Sequence, residues 1–393
     1  MTIKNTHIFR ILCMMAIAIM PSLMSSCKND EPEPGPEPTP TADRTVLAYM
    51  IATNNLSAFA IDDLAEMKQA AKEGQLGNGK FLVYYVNRKG APVLLDIHKN
   101  GVDTLKQYDA SVVSLSVNQM RTVVEDAKRL APSKGMGIVF WGHASAWWQN
   151  GIVEQSRSYG SDNGAWMNIS SMGEALRGQD LEFIYFDCCF MGAVEVLYEL
   201  RDVAPIIGAS PTEIKVEGLP YDKVMRHFFA TPQADIKAVA KAYFDYFDYY
   251  FKNPDMDYDA EHDCPYAIAA YDMTMLDNLA AVTAKVYKQA TVLWPDTYKP
   301  LCLGLLSYRF YDMQDYVRVL CGDDTALYEQ WKNALSKLVI YTDKCPYIWE
   351  PTSPIISWGG LSTYMYYDES TATYKGYDTT SWYRDLCTLL PAK

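Results

Sequence analysis

The chain predicts an α/β fold built on a mainly parallel sheet, and three observations carry that expectation. Short apolar runs alternate with amphipathic stretches along the first half of the chain, the order expected of strand–helix–strand units. The runs at 137–141 (GIVFW) and 183–186 (FIYF) are continuous rather than alternating, as in strands covered on both faces. Each run then ends abruptly in a reactive side chain, His143 after the first and Cys189 after the second. Parallel sheets place functional groups at the carboxyl ends of their strands, so a histidine and a thiol delivered there form a base and a nucleophile.

The elements follow in order. Residues 45–51 (TVLAYMI) read as a strand. Leu56, Ala60, Leu64, Met67 and Ala71 share one face of a helix that stops near Gly74, at helical spacing. Residues 81–86 are a second strand, and 93–97 with 104–108 a polar hairpin. A helix follows with Met120, Val123, Val124, Ala127 and Leu130 on one face and Asn118 as its cap. Residues 132–135 (PSKG) stop it before the His143 strand. A long loop, a short helix around 172–176, the Cys189 strand, a helix from Met191 to Tyr198 and a fifth strand at 205–209 complete the regular part. Residues 221–343 read as mostly helical (221–229, 234–252, 274–291, 325–342), and 360–366 (GLSTYMY) returns to strand.

The N-terminus indicates export. Lys4 and Arg10 precede the apolar run 11–20, and Leu23-Met24-Ser25-Ser26 leads to Cys27. This is a secretory-signal layout, with a run shorter than the roughly 20 residues a membrane span needs. The small residues before Cys27 resemble a bacterial lipoprotein cleavage box, which implies lipidation of Cys27. Residues 32–40 alternate proline with acid or other polar residues, which favours an extended stalk. The expected organisation is a signal peptide at 1–26, lipidated cysteine and stalk at 27–43, and one domain at 44–393. Within that domain, 44–222 is the catalytic core, 223–345 a helical extension and 346–393 a C-terminal strand region. The formal charge of −13 argues against nucleic acid or anionic lipid as a partner. The lipid anchor is the expected contact with the membrane, at the bacterial outer membrane or cell surface.

The order of Trp141-Gly142-His143, Asp187-Cys188-Cys189-Phe190-Met191, Gly208-Ala209-Ser210, 218–222 (GLPYD) and 360–364 resembles the caspase-like cysteine peptidases. Within that group it is most similar to the clostripain family, over about residues 44–370. The resemblance implies a caspase-like fold and a cysteine endopeptidase that cuts after Arg or Lys through an acyl-enzyme. It makes Cys189 the nucleophile, His143 the base, and the N–H groups of Ala144 and Cys189 the oxyanion hole. It makes Asp187 the acid of the specificity pocket. A second acid belongs in the loop after the fifth strand, with Glu217 the first choice and Glu213 the second. Self-cleavage near the site is a family habit, and Arg157 is the only basic residue between His143 and Arg177. The start of the helix after Cys189 is expected to lower the thiol pKa.

One departure stands out. The family has glycine after the histidine, and this chain has Ala144. The competing reading is therefore a catalytically weak or inactive lipoprotein of the same ancestry that binds peptides, or glycans through the tyrosines around 243–250. No cofactor is expected. Residues 255–263 begin like a calcium loop, but Ala260 and Tyr266 stand where glycine and glutamate belong, so the segment reads as a solvated loop and calcium as unproven. Neither the histidines nor the cysteines show metal spacing. A Cys188–Cys189 disulfide is a further option, and it would silence the nucleophile.

Overall fold

A computed structural model describes residues 41–148, 158–253, 265–291, 302–303, 310–348, 355, 357–365 and 374–391. The expected signal peptide, Cys27, the stalk through residue 40, Arg157 and the acidic segment 254–264 lie outside these.

The first half follows the predicted order, except that the expected long loop after His143 carries a hairpin and the helix expected from Met191 starts at Val194. Strand β1 (Ala42–Ala52) leads through a short turn to helix α1 (Phe59–Lys72), then to β2 (Lys80–Asn87), β3 (Val93–His98) and β4 (Gly101–Gln107). Helix α2 (Val117–Leu130), β5 (Ser133–Trp141), the hairpin β6 (Tyr159–Asp162) and β7 (Ala165–Met167), and α3 (Ile169–Leu176) follow. Next come β8 (Phe183–Asp187), α4 (Val194–Glu199), β9 (Ile206–Ala209), α5 (Tyr221–Phe228) and α6 (Ile236–Lys252). Ser116, not Asn118, caps α2 by accepting from Gln119 N–H, because the extended residue just before the first turn is the one whose side chain reaches that amide.

Among the described residues the later part is helical with four strands inside it, two of them only two residues long. After β10 (Ile268–Asp272) come α7 (Leu276–Gln289), β11 (Tyr311–Asp312), α8 (Met313–Cys321), α9 (Thr325–Leu338), β12 (Val339–Asp343), β13 (Ser362–Thr363) and α10 (Ser381–Asp385). The helix expected over 325–342 ends at Leu338, where the β-branched and aromatic run Val339-Ile340-Tyr341-Thr342 turns to strand. Residues 268–272 (IAAYD) are too rich in alanine to announce a strand. They become one by pairing antiparallel with both β9 and β12.

The main sheet has nine strands in the order β12-β10-β9-β8-β5-β1-β2-β3-β4. The five central strands, β9 to β2, are parallel, and antiparallel strands extend both edges. Because side chains alternate along a strand, the central strands feed two cores. Leu47, Tyr49, Ile138, Phe140, Ile184 and Phe186 face α2, α3, α4, α7 and α9. Val46, Ala48, Val139, Trp141, Phe183 and Tyr185 face α1, α5 and α6. The described part of the returning segment, 360–365, does not join this sheet. Its strand β13 pairs with β11, and Ser362 bridges Ala193, near the turn that follows Cys189. Among the described residues no helix is long and apolar enough to cross a membrane.

Arg44 anchors the start of β1. Its side chain is buried and pairs with Glu182, while its guanidinium donates to the carbonyls of Phe228 (3.1 Å), Ala230 (2.7 Å) and Pro232 (3.2 Å). Arg44→Leu strands these acceptors in a closed environment and should cost about 3 kcal/mol of stability. Urea unfolding checks this; a loss below about 1 kcal/mol would show that the pairing contributes little.

Candidate active site

Strands β5 and β8 are neighbours in parallel register, with Trp141 opposite Asp187. Their carboxyl ends therefore lie level, and the residues that leave them enter the same space. Gly142 makes the turn out of β5 at φ 141°, where a Cβ would stand 3.4 Å from the Ile51 carbonyl oxygen. His143 and Cys189 line one cavity of about 200 Å³. Leu56, Trp141, Ile214 and Val216 supply its apolar wall, and Asp187, Glu213, Lys215 and Gly218 complete the lining.

The imidazole is held by a residue that the sequence did not reveal. His143 Nε2 lies 2.7 Å from Asn55 Oδ1. Asn55 begins the turn after β1, where Asn54 Oδ1 accepts from Leu56 N–H at 3.0 Å. With an amide oxygen as its partner, Nε2 carries the proton and Nδ1 is left to accept one. Burial lowers the His143 pKa below its ordinary value, so the ring is neutral at neutral pH. In the sequence, the Asn54-Asn55 pair signals only a turn, and nothing in its spacing ties it to His143.

Cys189 Sγ is 3.5 Å from the Ile214 N–H. Burial pushes the thiol up to about 12, the Ile214 amide works against this, and the charges of Glu213 and Asp187 add to it. The expected lowering by a helix start does not occur. Helix α4 begins only at Val194 and is one short stretch of six residues, too far on for its amides to offset burial. The adjacent Cys188 is fully buried and donates to the Phe140 carbonyl at 3.2 Å. The two thiols are free, so the vicinal disulfide is not formed. Between Cys189 and the helix, Phe190 adopts φ 62° and donates its N–H to Thr212 O at 2.7 Å. That left-handed conformation costs roughly 1–2 kcal/mol, offset where the Phe190 ring stacks on Phe310 at 4.7 Å.

Ala144 takes a conformation open to any residue, since it is not among the positive-φ positions. It faces Tyr159 across an antiparallel bridge. The flanking bonds run from Gly160 N–H to His143 O (2.8 Å) and from Ser145 N–H to Ser158 O (3.1 Å). Residues 144 and 159 are thus a non-hydrogen-bonded pair, and the Ala144 N–H points away from the hairpin strand. Among the described residues no acceptor engages that N–H.

Asp187, Asp63 and the half-buried Glu66 form a group of mutually interacting acids. Asp187 is buried, and its Oδ2 accepts from Leu219 N–H (3.1 Å) and Tyr221 O–H (3.0 Å). Its Oδ1 is buried with no hydrogen-bond partner among the described residues. Asp63 of α1 is also buried and accepts from Trp141 Nε1–H at 2.5 Å. Burial raises both carboxyls, and Asp63 further because it faces Asp187. Glu66 accepts from Tyr221 N–H at 2.8 Å and is raised to about 7, chiefly by burial. Of the two acids expected in the loop after β9, Glu213 lines the cavity and Glu217 does not. No group of three or more His, Cys, Asp or Glu side chains among the described residues could hold a metal ion.

A parallel sheet that delivers a histidine and a cysteine to one cavity defines a cysteine peptidase of caspase-like architecture. The profile of the clostripain family matches residues 48–344, and the chain belongs to that family. Solved structures of C11 proteases are similar, two of them at about a quarter identity. One is an inactive zymogen C11 protease from Parabacteroides distasonis, at 27% identity and a TM-score of 0.74, covering 88% of this chain and 98% of that one. The other is a secreted C11 cysteine protease from Bacteroides thetaiotaomicron in complex with an irreversible peptide inhibitor, at 26% identity and a TM-score of 0.75, covering 87% and 98%. The comparison with curated proteins found no match.

The buried acid pair gives a test of the electrostatics. The folded-state pKa of Asp63 is raised above its unfolded value. Its contribution to stability is therefore full below the unfolded pKa and is lost as pH rises toward the folded one. Asp63→Asn and wild type should melt alike near about pH 4, and the variant should melt higher by about pH 8. A difference that does not change with pH would remove the case for a buried, protonated Asp63.

Proposed function

We propose that this peptidase cleaves peptide bonds after basic residues, with His143 and Cys189 as a dyad acting through an acyl-enzyme. The observation that carries the specificity is Asp187 Oδ1, a buried oxygen without a partner among the described residues, on a carboxylate that lines a mainly apolar cavity beside Cys189. A side chain with an apolar stem and a cationic tip fits that lining.

In this reading His143 Nδ1 takes the thiol proton as Sγ attacks the carbonyl carbon. The N–H groups of Ala144 and Cys189 receive the oxyanion. The C–N bond breaks, and the leaving amine takes the proton from His143. Water then adds to the thioester with His143 as base, releasing the new carboxylate and restoring the thiol. The open Ala144 N–H and its ordinary backbone conformation support catalysis over a silent, peptide-binding descendant. The same reading places the protein at the cell envelope on a lipidated Cys27, with self-cleavage after Arg157.

An arginyl or lysyl acyloxymethyl ketone should label Cys189, and peptide mapping identifies the modified residue. Cys189→Ala and His143→Ala should each abolish cleavage of a basic reporter peptide, while Cys188→Ala keeps most of it. The reverse ranking of the two cysteines would overturn the assignment. Cys189→Ala protein should also remain a single chain.

Asp187→Asn should lower kcat/KM for a basic reporter on the order of 10²-fold, the worth of a charge-assisted bond. In the wild type, Asp187 must be ionised to attract the cation, and its pKa is raised. The acid limb of kcat/KM should therefore lie above the ordinary carboxylate range and disappear in Asp187→Asn. A limb near pH 4, the unperturbed carboxylate range, would assign the limb to another group.

A further inference from the structure

The two oxygens of Asp187 are not equivalent, and the difference bears on which basic side chain the cavity takes. This rests on the reading of Asp187 as the acid of the substrate pocket. Oδ2 already accepts two hydrogen bonds, from Leu219 N–H at 3.1 Å and from Tyr221 O–H at 3.0 Å. Leu219 and Tyr221 are both fully buried. Oδ1 has no partner among the described residues. Gly218, at φ +67°, closes over the carboxyl group, so that a Cβ there would stand 2.9 Å from Oδ2 and 3.1 Å from Oδ1. The loop backbone thus covers one side of the group, and a carboxylate oxygen holding two donors has no lone pair left for a third.

A guanidinium binds a carboxylate best as a fork, with two parallel N–H groups on the two oxygens. An ammonium is a point charge that needs one oxygen. We propose that Tyr221, by occupying Asp187 Oδ2, sets this cavity for lysyl over arginyl side chains. Tyr221 acts through Asp187 and is a positioning residue. Its hydroxyl leaves Oδ1 as the single carboxylate oxygen without a donor among the described residues, which suits the tip of lysine and denies arginine its fork. Arginine then has to draw its second contact from elsewhere, and Glu213 is the other carboxylate on the lining. The two substrates therefore depend differently on two residues: arginine on Glu213, and the balance between the substrates on Tyr221.

The test uses two reporter peptides that differ only in lysine or arginine before the scissile bond, with a leucine peptide as control. All are measured at about pH 8, above the unperturbed range of carboxyl groups. Wild type should favour lysine by about 10-fold in kcat/KM, the low end of what one hydrogen bond to a charged group contributes. Tyr221→Phe removes a donor from Asp187 and should lower cleavage of both basic peptides. It also frees a lone pair on Oδ2, so the lysine-to-arginine ratio should fall toward one, a change that general loosening of the pocket does not produce. Glu213→Gln should reduce arginine cleavage more than lysine cleavage. Wild-type preference for arginine, or a ratio unmoved in a folded Tyr221→Phe protein, overturns the inference while leaving the basic-specific peptidase intact. If Tyr221→Phe does not fold, the wild-type ratio and the Glu213→Gln effect decide. Leucine cleavage equal to both basic peptides overturns the pocket reading itself.

Discussion

The parallel pairing of β5 with β8 is the constraint on which the site depends. Trp141 stands opposite Asp187, and neighbouring strands lie about 4.8 Å apart. Everything that leaves the two strand ends is thereby confined to one narrow region. A parallel pair cannot be closed by a tight turn and needs a crossover. The chain between the two strands serves as that crossover and carries the β6–β7 hairpin and α3 with it. The hairpin also sets Ala144, because its bonds to His143 and Ser145 turn the intervening N–H outward. The convergence of Cys189, His143, Asp187 and the free Ala144 amide is a consequence of one register.

Desolvation then works in two directions. It underlies the proposed selectivity, since an unpaired carboxylate oxygen in an apolar wall interacts far more strongly with a cation than one in water does. It also raises the Cys189 thiol to about 12 and lowers the pKa of His143, so both side chains are neutral at rest. The negative charges of Glu213 and Asp187 contribute to the raised thiol. Under the proposed specificity a bound cation would offset those same charges, so the acids proposed to recognise a basic side chain would also favour ionisation of Cys189. Asn55 fits this balance. As a neutral amide it orients His143 without the charge that would raise its pKa.

Much of the architecture was legible in the chain. The continuous runs at 137–141 and 183–186 became central strands, and the periodic positions of α1 and α2 became buried faces. The misreadings have local causes. Strand β12 continues from α9 without a break, so a helical pattern ran through it. Strand β10 has two alanines and an aspartate in five residues and is a strand because β9 and β12 flank it. Residues 360–366 have strand composition, yet Ser362 and Thr363 pair with a two-residue strand near Cys189 rather than with the main sheet.

What the sequence determined by itself was a set of local identities: apolar runs of strand length, a histidine and a cysteine at their ends, an aspartate two positions before that cysteine. These are local because strand formation and side-chain alternation act over a few residues. The tertiary structure decided what lies close across long stretches of chain. It brought Asn55 to His143, Tyr221 to Asp187, and Asp63 beneath Trp141. It also chose Glu213 over Glu217 for the cavity. Protonation states were decided there too, because a pKa responds to burial and to neighbouring charges in space, and neither is written in the order of residues along a chain.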